Sequence, residues 1–341
     1  MRRLEFVITR FGSTLMVLLG VTVITFLLAR TVPTDPAALF LGPRARPEEI
    51  AKVAEQMGLN DPLPVQYVNY MKELVQGDLG NSISTKRPVL DEIFARLPAT
   101  LELLFAGMTT AIIVGILIGV FSARWKDKPI DWGGRALAIL GVSIPAFFLG
   151  MLFQIVFFRW LGWFPLGGRT SVDLRFTSPI TDVTGFLVFD ALITGNWEGF
   201  KDALWHLFLP AMVLAAFPAG LIARMVRATM SDVLSLDYIR TARAYGQSEN
   251  LIAFKLALKN AIGPAIAVIG LSFAYALTGS FFVEIIYTWP GLGQLTVNAL
   301  LNLDYPLIMG VTLLGAIAYI AVNFIVDIVQ AQLDPRVSLD D

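Results

Sequence analysis

The stretch DYIRTARAYGQSENLIAFKLALKNAIGP, residues Asp237–Pro264, lies between two apolar segments that are each long enough to cross a lipid bilayer. It is a charged, helix-forming connection with an interior glycine, Gly246, and it ends on a proline where the next apolar segment begins. Of the 341 residues in the chain, 56% are hydrophobic and 16% are charged, and the mean hydropathy is +0.67. Soluble domains usually carry about 25% charged residues. We therefore expect a membrane protein whose solvent is lipid.

The composition excludes several classes of function. The formal net charge of −1 provides no basic field for nucleic acid. The chain has no cysteine and a single histidine, His206, which leaves no disulfide, no thiolate ligand and no histidine pair for zinc. It also lacks the GxxxxGKS or GxxxxGKT loop that binds ATP phosphates, and any Ser-His-Asp set. We predict that this chain is not an enzyme, binds no metal or cofactor itself, and contacts lipid but no nucleic acid.

Six apolar stretches are close to the roughly 20 residues that the hydrocarbon core requires, so we predict six transmembrane helices. They are Phe11–Leu28, Leu101–Ser122, Leu137–Phe158, Leu207–Ala223, Pro264–Ile286 and Leu307–Val326. The first has a signal peptide as its alternative, although it is long and no small-residue cleavage site follows it. No predicted span carries a charged residue at mid-depth, which argues against an ion-coupled secondary transporter.

The distribution of lysine and arginine predicts the orientation. The connection over 224–263 carries Arg224, Arg227, Arg240, Arg243, Lys255 and Lys259, whereas the segment 288–306 carries no lysine or arginine. The positive-inside rule then places both termini in the cytoplasm. The predicted organisation is a cytoplasmic N-terminus and first helix (1–28), a periplasmic helical cap (29–98), a core transmembrane domain (99–329) with a periplasmic loop (159–203) and a cytoplasmic loop (224–263), and a cytoplasmic tail (330–341). Helices are expected at Pro47–Gly58 and Pro64–Gln76, and little regular structure over Arg159–Lys201.

The opening stretch is predicted to form two helices joined at a glycine. Leu221–Tyr245 has the pattern of one helix that continues out of the fourth span, and Gly246 can end it in a left-handed conformation. Ser248 suits the N-cap of a second helix that runs to about Ile262, and Pro264 disfavours helical geometry in the residue before it. We call residues Asp237–Pro264 the elbow.

The first elbow helix has two faces with different chemistry. Arg240 and Arg243 are neighbours on its polar face, and Leu236, Ile239 and Ala242 form its apolar face. Such an element fits a groove on a partner protein, but it also fits a connector that lies among lipid headgroups. The physical pattern leaves both interpretations open.

The end of the fifth span carries a second candidate site. Glu284 is an ionisable residue close to the membrane, and we expect it to hydrogen-bond to Tyr287, Thr288 or a backbone N–H of the following turn. The turn contains Trp289, Pro290, Gly291 and Gly293, and its tryptophan suits the headgroup zone. Two interpretations are open, a structural anchor and part of an external gate.

Polar and small residues within the spans supply further candidates. Gln154, Thr278 and Asn323 are candidates for lining a translocation path, although interhelical hydrogen bonding is the alternative. Gly115 and Gly119 have the GxxxG spacing that permits two helices to approach closely. Pro145, Pro210 and Pro218 are expected to kink their spans.

The elbow resembles the cytoplasmic loop of binding-protein-dependent ABC transporter permeases, which typically reads DY(I/V)RTARAKGL followed by an NAxxP. Here the matching residues are Asp237 to Gly246 and Asn260 to Pro264, with Tyr245 and Gln247 departing from the lysine and leucine of the family. The resemblance implies that the helix ending at the glycine is a coupling helix that docks on an ATPase subunit. Its residues are Tyr238, Ile239, Arg240, Thr241, Ala242, Arg243, Ala244, Tyr245 and Gly246, with Asn260 and Pro264 at the end of the loop.

The resemblance extends over essentially the whole chain, in family order. Gly77–Ser82, Arg96–Leu103, Gly279–Gly293 and Asp334–Arg336 are similar to other motifs of these permeases, and most closely to the B-type subunit of dipeptide and oligopeptide systems. It implies a type I importer permease fold in a bacterial cytoplasmic membrane. The implied partners are a homologous second permease forming a heterodimer, two ATP-binding subunits that hold ATP and Mg²⁺, and a periplasmic or lipid-anchored substrate-binding protein.

The substrate expectation is peptides, with nickel complexes, glutathione and oligosaccharides as alternatives within the same class of importer. A secondary transporter and a membrane-anchored receptor that uses the cap are the competing interpretations. In such importers specificity rests largely with the binding protein.

Overall fold

The computed structural model describes residues 2–31, 35–42 and 44–333, with side chains described except in 2–11, 13, 274, 278 and 326–333. These residues form helices and turns, and the only strand-like pairing among them is a single bridge between Asn81 and Pro88. The predicted all-helical class is confirmed. Asp334–Arg336 lies outside the described residues, as does most of the predicted tail.

Sixteen α-helical segments follow one another along the described residues. They are α1 Arg2–Thr31, α2 Pro36–Leu41, α3 Pro47–Gln56, α4 Leu63–Val75, α5 Val89–Arg124, α6 Pro129–Ser143, α7 Ala146–Phe153, α8 Leu174–Thr177, α9 Leu187–Ile193, α10 Trp197–Val233, α11 Asp237–Ala244, α12 Glu249–Leu251, α13 Leu258–Ala261, α14 Gly263–Ile286, α15 Leu292–Leu301 and α16 Tyr305–Leu333. Two π-helical segments, Gln154–Trp160 and Ile252–Ala257, continue α7 and join α12 to α13.

Four of the described helices are long and apolar enough to cross a membrane by themselves. They are Thr14–Thr31, Val89–Arg124, Trp197–Val233 and Tyr305–Ile325. Two bent pairs, Pro129–Ser143 with Ala146–Trp160 and Glu249–Ala261 with Gly263–Leu277, raise the number to six if each pair is one span. The described residues therefore contain between four and six candidate spans.

The predicted single helix over Leu137–Phe158 is wrong, because the chain bends by 111° between α6 and α7. Ile144, which precedes Pro145, has an extended ψ of 123° and closes the last turn of α6 by donating its N–H to the Leu140 carbonyl. The proline ring disfavours helical geometry in the residue before it. Pro145 therefore breaks the helix instead of kinking it, whereas Pro210 and Pro218 lie inside the single element α10.

The chain divides into two compact units, and the first comprises residues 1–97 and 292–320. Helices α3 and α4 confirm the helices predicted at Pro47–Gly58 and Pro64–Gln76. The turn between them is held by Gln66, whose Nε2 donates to the carbonyls of Leu59 and Asp61 at 3.0 and 2.8 Å. Phe26 packs on Tyr67 and Tyr70 in a small core.

A buried carboxylate fastens the segment before α5 to the start of α16 within this unit. Asp304 is fully buried, and its Oδ2 accepts hydrogen bonds from Ser82 Oγ at 2.5 Å, Ser84 Oγ at 2.7 Å and Ser84 N at 3.0 Å. Burial alone raises the pKa of Asp304, but these hydrogen bonds and one from the Ile83 N–H hold it below the ordinary value.

Replacing Asp304 with alanine is expected to loosen this junction. The substitution removes the acceptor of the buried Ser82 Oγ and of the partly buried Ser84 N–H, at a cost of about 1–3 kcal/mol. Because the folded-state pKa is lowered, the contribution of Asp304 to stability is fully present above the unfolded carboxyl pKa of about 4 and is lost as pH falls through the lower folded value. Hydrogen exchange of residues 78–88 should be slow at pH 5 in the wild type and fast in Asp304→Ala. Equal exchange in the two proteins would contradict this role.

The second unit comprises residues 98–291 and 321–341 and contains the elbow. In it α5 packs closely on α10, as the GxxxG spacing predicts. A methyl group on Gly119 would lie 2.6 Å from Val226 Cβ, and one on Gly115 would lie 2.8 Å from Ile222 Cβ. The predicted close approach is therefore confirmed, and these glycines are part of the packing between two helices.

The segment Arg159–Lys201 is more regular than predicted. It holds α8, α9 and the first residues of α10, and Asp190 in α9 organises the turn before it. Its carboxylate accepts hydrogen bonds from the backbone of Val183, Thr184 and Gly185, and from Thr184 Oγ1 at 2.6 Å. A turn that is built around one buried carboxylate leaves no hydrophobic periodicity, which is why the sequence pattern does not reveal it.

Candidate functional site

The first elbow helix is a separate element and not the end of the fourth span. We predicted one helix over Leu221–Tyr245, but α10 ends at Val233 and α11 begins at Asp237. Between them Ser235 Oγ donates to the Asp232 carbonyl at 2.7 Å. Serine competes for backbone hydrogen bonds in this way and favours helix ends. The first elbow helix is therefore bounded by non-helical residues at both ends.

The predicted stop at Gly246 is confirmed in its geometry. Gly246 has a φ of +75°, its N–H donates to the Arg243 carbonyl at 2.9 Å, and the Gln247 N–H donates to the Ala242 carbonyl at 3.2 Å. These two bonds are those of a Schellman motif, with the glycine in its left-handed position. No atom lies within 4 Å of where a Cβ would stand on Gly246. The glycine is therefore required by its backbone conformation and not by lack of space.

The second elbow helix begins and ends close to where the sequence predicts. Ser248 caps it by accepting a hydrogen bond from the Leu251 N–H, and helical structure continues through a π-helical segment to Ala261. The chain then bends by 68° at the junction with α14, whose first turn contains Pro264.

Side chains fasten the two elbow helices to each other. Asn260 Nδ2 donates to the Tyr238 hydroxyl at 2.9 Å, which joins two of the predicted site residues. Arg243 and Glu249 form an ion pair across the glycine at 2.9 Å. Arg240 pairs with Asp237 in its own helix at 3.1 Å. Side-chain contacts as well as the backbone turn therefore fix the angle between the two elbow helices.

The inner face of the elbow belongs to the core of the helical bundle. Ile239 is fully buried, and the cluster around it continues through Ile252 to Val226 and Met230 of α10 and Val120 of α5. Densely packed interiors transmit displacement because they resist compression. The predicted apolar face is therefore joined to the long helices, although Leu236 at its edge is 48% exposed.

The outer face of the elbow is open to solvent. Tyr245 is 82% exposed, and the side chains of Arg240 and Asp237 are 72% and 94% exposed. Thr241, Arg243 and Ala244 lie on the same short helix or at its end, and Thr241 Oγ1 donates to the Asp237 carbonyl at 3.0 Å. A rigid element with one face in the bundle core and the other exposed is suited to receiving force from a soluble partner.

The region around Glu284 is a buried polar junction. Glu284 is fully buried, and its Oε1 accepts a hydrogen bond from Thr100 Oγ1 at 2.7 Å. Trp289 is only 1% exposed, and its indole N–H donates to the Ala99 carbonyl at 2.8 Å. The predicted placement of Trp289 among headgroups is therefore wrong, because its ring packs inside the protein.

An ion pair between a buried carboxylate and a partly exposed arginine lies beside the tryptophan. The Arg169 guanidinium stands 5.6 Å from the Trp289 ring centre and forms an ion pair with Glu102 at 2.5 Å. Glu102 also accepts a hydrogen bond from the Val188 N–H at 2.7 Å. Sequence reasoning missed Thr100, Glu102 and Arg169 as members of this junction. Thr100 and Glu102 lie together in α5, but they are 184 and 67 positions from their partners Glu284 and Arg169.

Gly291 is in contact with this junction, and its replacement by alanine is expected to disrupt it. A methyl group would lie 2.5 Å from both Glu284 Oε2 and Thr100 Oγ1, so buried polar atoms must move, at a cost of about 2 kcal/mol. The thermal unfolding temperature of the purified chain measures the effect. Gly133→Ala is the matched control, since nothing lies within 4 Å of its added methyl group. Equal unfolding temperatures for the two variants would contradict this packing.

The remaining predicted residues fall into different environments. Gln154 Nε2 donates to the carbonyls of Leu166 and Ile286, both at 2.9 Å, so it joins two segments of the protein. Asn323 is half-buried in α16, Pro290 is exposed, and Gly293 is buried in α15. The side chain of Thr278 lies outside the described residues. Among those that are described, no group of three or more His, Asp or Glu residues could hold a metal ion.

The described residues form a helical protein with candidate membrane spans and an elbow that is exposed on one face. Comparison with known proteins gives its class. Residues 115–339 match the family described as binding-protein-dependent transport system inner membrane component, and residues 3–104 match the N-terminal model of the same system. The chain belongs to this family.

Relatives match along almost their whole length. The chain is 42% identical over 96% of both chains to a probable D,D-dipeptide transport system permease protein of Escherichia coli. It is 39% identical to a dipeptide transport system permease protein of Alkalihalophilus pseudofirmus, covering 94% of this chain and 95% of the relative. It is also 39% identical over 98% of both chains to a di/tripeptide transport system permease protein of Pseudomonas aeruginosa. All three are similar to this chain in length as well as in sequence.

Proposed function

We propose that the chain is one transmembrane permease subunit of an ATP-driven importer that carries di- or oligopeptides from the periplasm into the cytoplasm. The observation that carries the proposal is the elbow, which joins an exposed polar helix to the core of the bundle through Ile239. The names of the relatives, which are peptide permeases, support the substrate class. ATP hydrolysis belongs to other subunits, because the sequence contains no phosphate-binding loop.

The proposed assembly has four further components. A homologous second permease pairs with this chain to form a heterodimer, and two ATP-binding subunits hold ATP and Mg²⁺ beneath it. One of them receives Tyr238–Gly246 as a coupling helix. A periplasmic or lipid-anchored binding protein delivers the peptide to 29–98 and 159–203.

The proposed topology has six spans with both termini in the cytoplasm. The two bent pairs each count as one span, which is consistent with the number of apolar stretches in the sequence. The density of lysine and arginine in 224–263 supports a cytoplasmic elbow. The core then extends over 99–329, with 1–28 as the entering helix and 330–341 as the tail.

The proposed cycle uses the elbow as a rigid lever. Closure of the ATPase subunits moves α11, and the buried contact of Ile239 passes the displacement to α10 and α5. An anchor then holds the opposite end of α14. It consists of Glu284, whose carboxylate is buried and hydrogen-bonded, together with Trp289, Pro290, Gly291 and Gly293. Gln154, Thr278 and Asn323 remain candidates for the path itself.

Reconstitution tests the proposal. We reconstitute the whole assembly in liposomes with a labelled dipeptide outside and ATP inside. The assembly contains the chain, its partner permease, the ATPase subunits and the binding protein. We expect uptake that requires both ATP and the binding protein. Uptake by this chain alone, driven by an ion gradient, would instead establish a secondary transporter. Nickel complexes, glutathione or oligosaccharides taken up in place of the dipeptide would reassign the substrate within the same class of importer.

A further inference from the structure

A cavity of about 340 Å³ lies between α5, α6 and α10 in the second unit. Its volume is within the roughly 300–1,000 Å³ that is typical of small-molecule sites. Its apolar lining includes Ile118, Ile139 and Val142. Arg135, Arg224 and Arg227 supply its charged lining, so apolar and cationic surfaces face the same space.

Positive charge exceeds negative charge around this cavity. Asp131 is fully buried and takes both hydrogen bonds of the Arg227 guanidinium, at 2.6 and 2.8 Å, and it lies 3.6 Å from Arg135. Arg224 is exposed and has no acidic partner within the described part of the chain. The described lining thus carries three arginines and no acidic side chain, and Asp131 beside it offsets only part of their positive charge.

The position of the cavity along the helices identifies the level of the membrane at which it lies. Arg224 is the first charged residue after the apolar stretch of α10, and Arg135 is the last one before the apolar stretch of α6. Ser122 and Arg124 end the apolar stretch of α5. All three helices pass from apolar to charged sequence here, which is where lipid headgroups lie.

We propose that this cavity binds an anionic phospholipid, with its phosphate on Arg135 and Arg224 and an acyl chain along Ile118, Ile139 and Val142. The planar guanidinium is suited to phosphate oxygens, and basic cavities between transmembrane helices bind anionic headgroups. The leaflet rests on the proposed function, since the proposed orientation makes it the cytoplasmic one. Arg227 remains hydrogen-bonded to Asp131, so it forms part of the cavity wall and does not bind the phosphate.

Lipid retention on the full-length chain tests the proposal. The chain is titrated in detergent with dioleoylphosphatidylglycerol or dioleoylphosphatidylcholine, and bound lipid is counted by native mass spectrometry. We expect preferential retention of phosphatidylglycerol, and an affinity lower by about 30-fold in Arg135→Gln/Arg224→Gln, since two cations near an anionic headgroup are lost. Arg224→Lys keeps the charge but loses the planar fork, so its affinity should fall between those of the wild type and the double variant. Lys126→Gln, which removes an exposed cation outside the cavity, should leave the affinity within twofold.

Several outcomes would overturn the proposal. Equal retention of the two lipids, or wild-type retention by the double variant, would mean that the cavity does not select an anionic headgroup. Binding of inorganic phosphate to a chain that retains no phosphatidylglycerol would make the ligand a free phosphate. Loss of phosphatidylglycerol when the partner permease is added would make a protein chain the occupant. Lipid counting requires no transport, so these results are independent of whether the importer function holds.

Discussion

Replacing Gly246 with valine is expected to reduce ATP-driven uptake by tenfold or more while the protein still inserts and folds. The residue has a φ of +75°, and a left-handed conformation costs a residue with a Cβ about 1–2 kcal/mol, with β-branched residues the least suited to it. Space is not the limit, since no atom lies within 4 Å of the added Cβ. The strain is relieved only if the Schellman turn opens and α11 changes its direction.

A series at this position separates backbone conformation from size. Gly246→Asn should retain most of the uptake, because asparagine enters the left-handed region more readily than other residues with a side chain. Gly246→Ala should fall between asparagine and valine. Uptake and ATP hydrolysis are measured together in liposomes, and we expect hydrolysis to continue while uptake is lost. Wild-type uptake by the valine variant would mean that the angle of the elbow has no role in transport.

Removing the buried carboxylate of Asp131 is expected to cause a large loss of stability. Asp131 is fully buried and holds the Arg227 guanidinium through two short hydrogen bonds. Removing the carboxylate leaves the Arg227 charge without its partner. The Arg227 side chain is 23% exposed, so water screens part of that charge, and the cost is about 3 kcal/mol, the low end for buried pairs. Asp131→Ala should therefore lower the thermal unfolding temperature of the purified chain well below that of the wild type.

A double variant shows whether the loss comes from the orphaned charge. In Asp131→Ala/Arg227→Met both charges are gone, and stability should return towards the wild type because apolar replacements of buried pairs are often neutral. Asp237→Ala removes an exposed partner of Arg240 and should have little effect. If the double variant is as unstable as Asp131→Ala, the carboxylate matters for packing and not for the charge of Arg227.

The parts of the fold that could be predicted are those that have a local sequence signal. Apolar runs reveal the four to six candidate spans of the described residues. Gly246 and Ser248 reveal the elbow turn, because left-handed backbone and helix capping each favour particular residues. The GxxxG spacing likewise predicts the contact between α5 and α10. These features depend on residues that are close together in the chain.

The parts that were missed depend on pairing across long distances. Asp131 with Arg227, Asp304 with Ser82 and Glu102 with Arg169 join residues that are 67 to 222 positions apart. From the sequence alone Asp131, Asp304 and Glu102 resemble solvated carboxylates, and only the fold reveals that they are buried. The break at Ser235 was missed for a different reason. The helical sequence pattern continues on both sides of it, and the hydrogen bond from Ser235 Oγ to the Asp232 carbonyl at the end of α10 leaves no mark on that pattern.

The central claim is that the exposed face of the elbow meets an ATPase subunit, and cross-linking tests it most directly. The chain has no cysteine, so a single one can be placed without a background. Tyr245→Cys lies on the exposed face, and Lys126→Cys is the exposed control outside the elbow. In the assembled transporter we expect Tyr245→Cys to form a cross-link to an ATP-binding subunit whose yield changes when ATP is added, and Lys126→Cys to form none. Equal yields at the two positions, or cross-links from Tyr245→Cys to lipid probes alone, would contradict the account.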